Sequence, residues 1–383
     1  MNLKKTFRGI FKRKLKKNRG LITNLYLTGF DRKVLISYIR SPFLNANQFT
    51  HQNYVTSHIV AECFSEEGYN VDIVDYFNSD VILNYDEYAV IFGMGRNLEH
   101  SFYSADRSIP RIHFVTGAHH YLHNEMSLKS IGDFYKLSGL WLSNEANVLD
   151  ENCYYSHFNA DFVVILAHGN VLSDYRSRFK NKVYSLNNNI LGTFAGYKPK
   201  SIENRNSNFL FLSGGKLITK GFHLVMEMAR LRKDLNFYVV VPSINEVLED
   251  YYSDVLKEQT NVFLYKNIRM DSEEMMHIIE NCTYSIAPSY IDGLPGGTIE
   301  PMSAGLIPIV GKYCGFPQEK FIFELPSLDS DCLNETINEL MQLDDSTYLA
   351  YSNAVKSYTL EHFSAIEVKK SLKGILATEL SKF

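Results

Sequence analysis

Pro288-Ser289-Tyr290-Ile291-Asp292-Gly293-Leu294-Pro295-Gly296-Gly297-Thr298-Ile299-Glu300-Pro301-Met302-Ser303-Ala304-Gly305-Leu306-Ile307-Pro308-Ile309-Val310 is the most informative stretch of the chain. Apolar runs at residues 283–287 and 306–310 read as buried strands of a parallel sheet. The loop between them holds four Gly or Pro within residues 293–297, and a short helix is predicted to open at Thr298. A Gly-rich loop feeding a helix N-terminus presents unpaired backbone N–H groups and the positive end of a dipole, which seats an anion such as phosphate. Two carboxylates flank that seat, Asp292 in the loop and Glu300 in the first helical turn. Acids do not help to hold a phosphate. They accept hydrogen bonds from hydroxyls, which a sugar offers. The plainer reading of the same residues is a βα turn whose glycines allow a tight bend and whose Glu300 favours the helix N-terminus.

Outward from this stretch, the second half of the chain alternates strand and helix. Strands are predicted at 209–212, 237–241 and 262–265, and helices at 245–257 and 272–280. The first turn of this half is Ser213-Gly214-Gly215-Lys216-Leu217-Ile218-Thr219-Lys220-Gly221, and Phe222, Val225, Met226 and Ala229 share one face of the helix behind it. A helix start disfavours cations, so Lys216 and Lys220 there suggest a bound anion. From residue 333 the chain reads as helical, with a break near Asp344 and a separate last helix at 365–380.

The first half shows the same rhythm. Strands are expected at 34–38, 70–76, 89–92, 111–115, 161–167 and 183–186, and helices at 49–66 and from near 125 to 137. Such alternation predicts open parallel sheets with helices on both faces, and ligands beyond the C-terminal ends of the strands. The fold class is therefore α/β, built as two Rossmann-like domains. Boundaries fall at 21–191 for the first domain, 192–208 for a polar linker, 209–364 for the second, and 365–383 for the last helix. Loops of the first domain add Thr116-Gly117-Ala118-His119-His120 and a segment containing Phe43, Asn45 and His51.

The 288–310 stretch resembles the donor-site signature of retaining GT-B glycosyltransferases of the large "group 1" class, a Glu-x7-Glu pair inside PS-x-x-E-G-x-P…E-A-M-A-x-G-x-P-V-V. Asp292 stands in the first Glu slot and Glu300 in the second, with Pro301-Met302-Ser303-Ala304-Gly305-Leu306-Ile307-Pro308 in place of the helix and the next strand. The first acid is thus one methylene shorter. The Gly214–Gly221 turn is similar to the family's G-R-L-x-x-x-K-G. Lys220 falls on the Lys slot and Lys216 lies one position from the Arg slot.

This resemblance implies two domains facing a cleft, the last helix crossing back to the first domain, and transfer of a sugar from a nucleotide-diphosphate sugar with retention of configuration. It implies candidate catalytic residues His119, Lys220, Asp292 and Glu300. Gly214, Gly215, Lys216, Lys220, Asn267, Ile268, Asp292, Gly293, Gly296, Gly297, Thr298 and Glu300 are the candidate donor-binding residues. Phe43, Asn45, His51 and His120 are expected at the acceptor. His119 is expected to touch the donor sugar or its phosphate, with Glu300 on the ribose hydroxyls. Rival readings are a GT-B-fold nucleotide-sugar epimerase and a non-catalytic scaffold.

Composition bounds the partners. The 383 residues carry a net charge of −4, so the chain as a whole is no nucleic-acid binder by charge. Residues 1–20 nevertheless hold nine Lys or Arg and no acid, interleaved with Leu3, Phe7, Ile10, Phe11 and Leu15 at helical spacing. That is the pattern of a segment lying on an anionic membrane surface, and it points to a glycan or lipid-linked glycan acceptor in surface polysaccharide synthesis. The five cysteines include no Cys-x-x-Cys pair, which fits a reducing, cytoplasmic setting on the inner face of the cell membrane. No metal and no cofactor beyond the sugar nucleotide is expected. Asp329-Ser330-Asp331 reads as a helix cap rather than a metal site.

Overall fold

A computed structural model describes residues 20–44, 51–78, 80–103, 106–149, 154–198 and 200–383. Residues 1–19, which carry the basic amphipathic segment, and the acceptor candidate Asn45 lie outside the described residues.

The first lobe is a seven-stranded sheet in the order β1-β3-β2-β4-β5-β6-β7. Its strands are β1 (Leu21–Ile22), β2 (Arg32–Tyr38), β3 (Tyr69–Asp75), β4 (Val90–Gly93), β5 (Arg111–Val115), β6 (Phe162–Ile165) and β7 (Lys182–Ser185). Only β1 runs antiparallel to its neighbour. Val34, Leu35, Ile36 and Tyr38 of β2 are all fully buried, as expected of a strand covered on both faces. The connecting helices are α1 (Gln52–Glu66), α2 (Gly95–Ser101), α3 (His120–Ser138), α4 (Ser156–Asn159) and α5 (Gly169–Arg178). The sequence reading missed α2 and α5. Arg96, Asn97 and Glu99 in one and Asn170, Asp174 and Arg178 in the other hide the apolar period. It also started α3 too late, because His119 caps the helix by accepting from Tyr121 N–H.

The second lobe is a six-stranded, all-parallel sheet in the order β10-β9-β8-β11-β12-β13. It contains β8 (Asn208–Leu212), β9 (Asn236–Val241), β10 (Val262–Lys266), β11 (Tyr284–Ala287), β12 (Ile307–Gly311) and β13 (Phe323–Leu325). Its helices are α6 (Phe222–Leu231), α7 (Glu246–Tyr251), α8 (Glu273–Asn281), α9 (Gly296–Ser303), α10 (Ser330–Met341), α11 (Asp345–His362) and α12 (Ala365–Leu380). The expected 245–257 helix is instead α7 followed by a π-type turn at Asp254–Glu258. Helix α9 opens at Gly296, two residues before Thr298, with Pro295 as its N-cap. Asp329 caps α10 by accepting from Cys332 N–H at 2.8 Å.

Helix α12 returns to the first lobe. Val368, Leu372 and Leu376 pack in one buried cluster with Ile59, Val60 and Phe64 of α1, and Lys369 pairs with Glu62 and Glu66 at 2.7 and 2.6 Å. The chain thus passes between the lobes twice. The two passages touch where Ile190 N–H donates to Phe363 C=O at 2.8 Å. No helix among the described residues is long and apolar enough to cross a membrane.

Candidate active site

In an open parallel sheet, a crevice forms where neighbouring strands send their connections to opposite sides. In the second sheet that point lies between β8 and β11. The loops leaving those two strands are Ser213–Gly221 and Pro288–Pro295, the two stretches singled out from sequence. Gly221 sits at φ +78°, and any Cβ there would collide with the Pro288 carbonyl oxygen, so glycine is what lets the two loops touch.

Between the lobes these loops frame a hollow of about 400 Å³. Gly214, Gly215, Lys220, Asp292, Gly293, Gly296, Gly297 and Thr298 all line it. From the first lobe come His51, Gln52 and Thr116. Lys220 and Asp292, 72 positions apart in sequence, form an ion pair at the wall. Both are mostly shielded, with side-chain exposures of 23% and 17%. Gly293 presses on the first lobe so closely that a Cβ would strike the Thr116 carbonyl and the Gly117 backbone.

Other expected residues are placed differently. Lys216 does not line the hollow; its ammonium donates to the Asn144 carbonyl at 2.6 Å and ties the lobes together. Glu300 is fully buried beneath the hollow. Its Oε1 accepts from Gln52 Nε2 at 2.8 Å and from Leu191 N–H at 2.5 Å, while Oε2 meets no partner among the described residues. Burial pushes its carboxyl up to about 7, against the two hydrogen bonds, which pull it down. The carboxylate expected at the ribose is therefore occupied by Gln52, a residue the sequence reading did not single out.

Asn267 and Ile268 do not line the hollow, whereas Met270 from the same turn does. Ile268 packs against the apolar cluster containing Met275 and Ile278.

The histidines need correction. His119 and His120 are buried away from the cleft in an aromatic group with His157 and Phe158, at ring-centroid distances of 4.9–5.8 Å. Burial pushes the His119 imidazole down to about 3. The cause of the misplacement is the cap: His119 turns back onto its own helix instead of forward over the rim.

One turn further along α3, His123 does face the cleft, where it lines a second hollow together with Lys220 and Asp292. Its Nε2 is 2.7 Å from the Asn147 carbonyl and must carry the proton, which leaves Nδ1 as an acceptor. The three-residue step from His120 to His123 on a helix was the available signal. Of the other acceptor candidates, His51 lines the donor-side hollow, and Phe43 is packed against His58 with ring centroids 4.4 Å apart. His119, His120 and His157 also bring ligand-type nitrogens within 4.8 Å of one another, the one such metal-sized group among the described residues. His119 Nδ1 already accepts from a backbone N–H, so its other nitrogen carries a proton and cannot ligate.

No protein-family model matches the sequence, and no curated protein matches it. The fold has many solved counterparts. Sucrose-phosphate synthase from Thermosynechococcus elongatus aligns over 92% of this chain and 100% of its own, with a TM-score of 0.62 at 12% identity. The lipopolysaccharide outer core galactosyltransferase WaaB, in its apo form, aligns over 91% and 99% with a TM-score of 0.55 at 13% identity. A variant of S. aureus TarM, in complex with fondaparinux, α-GlcNAc-glycerol and UDP, gives a TM-score of 0.52 at 12% identity over 74% of this chain. The chain spans about half the length of TarM, 54%. At these identities the likeness is one of fold: the protein has the GT-B architecture of two Rossmann-like domains.

Proposed function

We propose that the chain is a retaining glycosyltransferase, moving a sugar from a nucleotide-diphosphate sugar to a glycan or lipid-linked glycan acceptor. The observation that carries the reading is the meeting of Lys220 and Asp292 at the switch point of the second sheet, over the N-terminal turn of α9. A cation and a dipole end suit the diphosphate, and a carboxylate beside them suits sugar hydroxyls. Before donor binds, each charge satisfies the other. When the diphosphate takes over Lys220, Asp292 is released to accept from the sugar.

In the transfer itself, the acceptor hydroxyl oxygen bonds to the anomeric carbon on the face the diphosphate leaves. The bond from that carbon to the phosphate oxygen breaks with its electron pair, and the hydroxyl proton passes to the departing phosphate. Lys220 stabilises the charge that builds on the leaving oxygens, an effect of about 3 kcal/mol for one such contact. The lobes exclude water and so protect the donor from hydrolysis. Solved structures of the same fold support the reading: WaaB is a lipopolysaccharide outer core galactosyltransferase, and the TarM variant is in complex with fondaparinux, α-GlcNAc-glycerol and UDP. A role in surface polysaccharide synthesis, without metal, at the inner face of the cell membrane, belongs to the same proposal.

A thermal-shift screen against UDP-, GDP-, ADP- and dTDP-sugars tests it. One donor is expected to raise the melting temperature in the wild type and not in Lys220→Ala. A chain that responds to none of them is not this enzyme. Incubating the active donor without acceptor and finding an isomerised sugar would favour epimerisation instead.

A further inference from the structure

The second hollow, about 540 Å³, belongs mainly to the first lobe. It shares Thr116, Lys220, Asp292 and Gly293 with the donor-side hollow, so the two open onto the same ion pair. It lies beyond the C-terminal ends of β3, β4 and β5, next to the point where the two strands that follow β2 in the chain, β3 and β4, take opposite sides of it. That is the place in the first sheet where a ligand is expected.

Its chemistry is specific. Tyr76 and Phe77 follow β3 with ring centroids 3.8 Å apart, and Phe77 is 74% exposed, a large apolar face turned to water. Arg96 stands beside them on the first turn of α2, its backbone N–H bonded to the Tyr76 carbonyl at 3.1 Å. Gly93 and Gly95 hold this tight β4–α2 turn at φ +134° and +71°. Arg96 is exposed and makes no ion pair among the described residues. The other charged groups on the wall are Lys220 and Asp292, which cancel each other, while His113, His123 and His157 are kept neutral by burial. Among the described residues, then, the wall carries one uncompensated charge, and it is positive.

We infer that this hollow is the acceptor subsite and that it takes a sugar bearing a negative group, phosphate or carboxylate. Arg96 meets the anion, and the Phe77 ring supplies a flat apolar face for the sugar. The inference rests on the glycosyl-transfer reading for the word acceptor, but the binding it claims is separately measurable. A planar guanidinium matches either oxyanion in a two-pronged contact, which a lysine reproduces only in part.

The test uses the full chain and three probes: glucose 6-phosphate, glucuronate and glucose, titrated at low and at moderate salt and followed by saturation-transfer NMR. The charged sugars are expected to bind about tenfold more tightly than glucose, with the preference falling as salt rises. The preference should vanish in Arg96→Ala and survive in part in Arg96→Lys. Phe77→Ala should weaken all three probes alike. Comparison of the two charged probes tells phosphate from carboxylate. Equal binding of glucose, or a preference that persists in Arg96→Ala, overturns the inference. Melting temperatures establish that each variant is folded, and the donor-induced shift is read in the same samples. Should no sugar nucleotide shift the protein, the transfer reading falls while the result for Arg96 still stands on its own probes.

Discussion

Glu300 makes a sharp test of the physical account of the cleft. Its side chain is fully buried, holds two hydrogen bonds on one oxygen and leaves the other with no partner among the described residues. Burial lifts the carboxyl from its ordinary 4.5 to about 7. A carboxyl lifted in this way keeps its proton longer in the folded chain than in the unfolded one. The folded chain binds the extra proton between those two values, so its stability declines as pH rises from about 4.5 and levels off above about 7. Across the full window the gap corresponds to about 3 kcal/mol.

Glu300→Gln keeps the shape and the accepting oxygen but cannot ionise. The variant should match the wild type near pH 5 and become more stable than it by about 2–3 kcal/mol at pH 8. Urea unfolding at pH 5, 6, 7 and 8, with wild type and variant side by side, isolates this one group from all others that titrate. A stability difference that stays constant across those four conditions would refute the argument. It would mean that water or a rearranged Gln52 already solvates the carboxylate.

Further expectations follow from the same geometry. Lys220→Ala should lower the transfer rate by roughly a hundredfold, the equivalent of about 3 kcal/mol, in an assay of nucleotide release with acceptor present. Gly221→Ala must seat a Cβ against the Pro288 carbonyl at a left-handed backbone, so its melting temperature should drop while Gly214→Ala, in open space, stays close to wild type. Leu372→Ala removes a fully buried side chain from the contact between α12 and α1 and should cost about 2–5 kcal/mol in denaturant unfolding.

Much of this fold was legible because its central strands are buried on both faces and so read as plain apolar runs, as in Val34–Tyr38 and Phe237–Val241. The donor loops were legible for a different reason: Gly-rich connections at strand ends carry their geometry in local sequence. Partners brought from the other lobe left no such trace. Gln52 meets Glu300 across 248 positions, and nothing near either residue announces the other. Lys216 went astray because nothing in the loop that precedes α6 announces the Asn144 carbonyl waiting across the interface. His119 and His120 stand out in sequence as the end of a strand-to-helix loop, whereas the helix already starts at His120 and it is His123, one turn on, that reaches the cleft.

The doubled chain passage near Ile190 and Phe363 constrains how the lobes can move. Two tethers lying side by side and bonded together act like the knuckles of one hinge pin, whereas a lone tether would act as a ball joint. Twisting of one lobe against the other would have to break the Ile190–Phe363 bond, but swinging about the pin would not. A swing about that pin would have to undo the ties from Lys216 to the Asn144 carbonyl and from Gln52 to Glu300, and remaking them would bring Lys220 and Thr116 back to the same register.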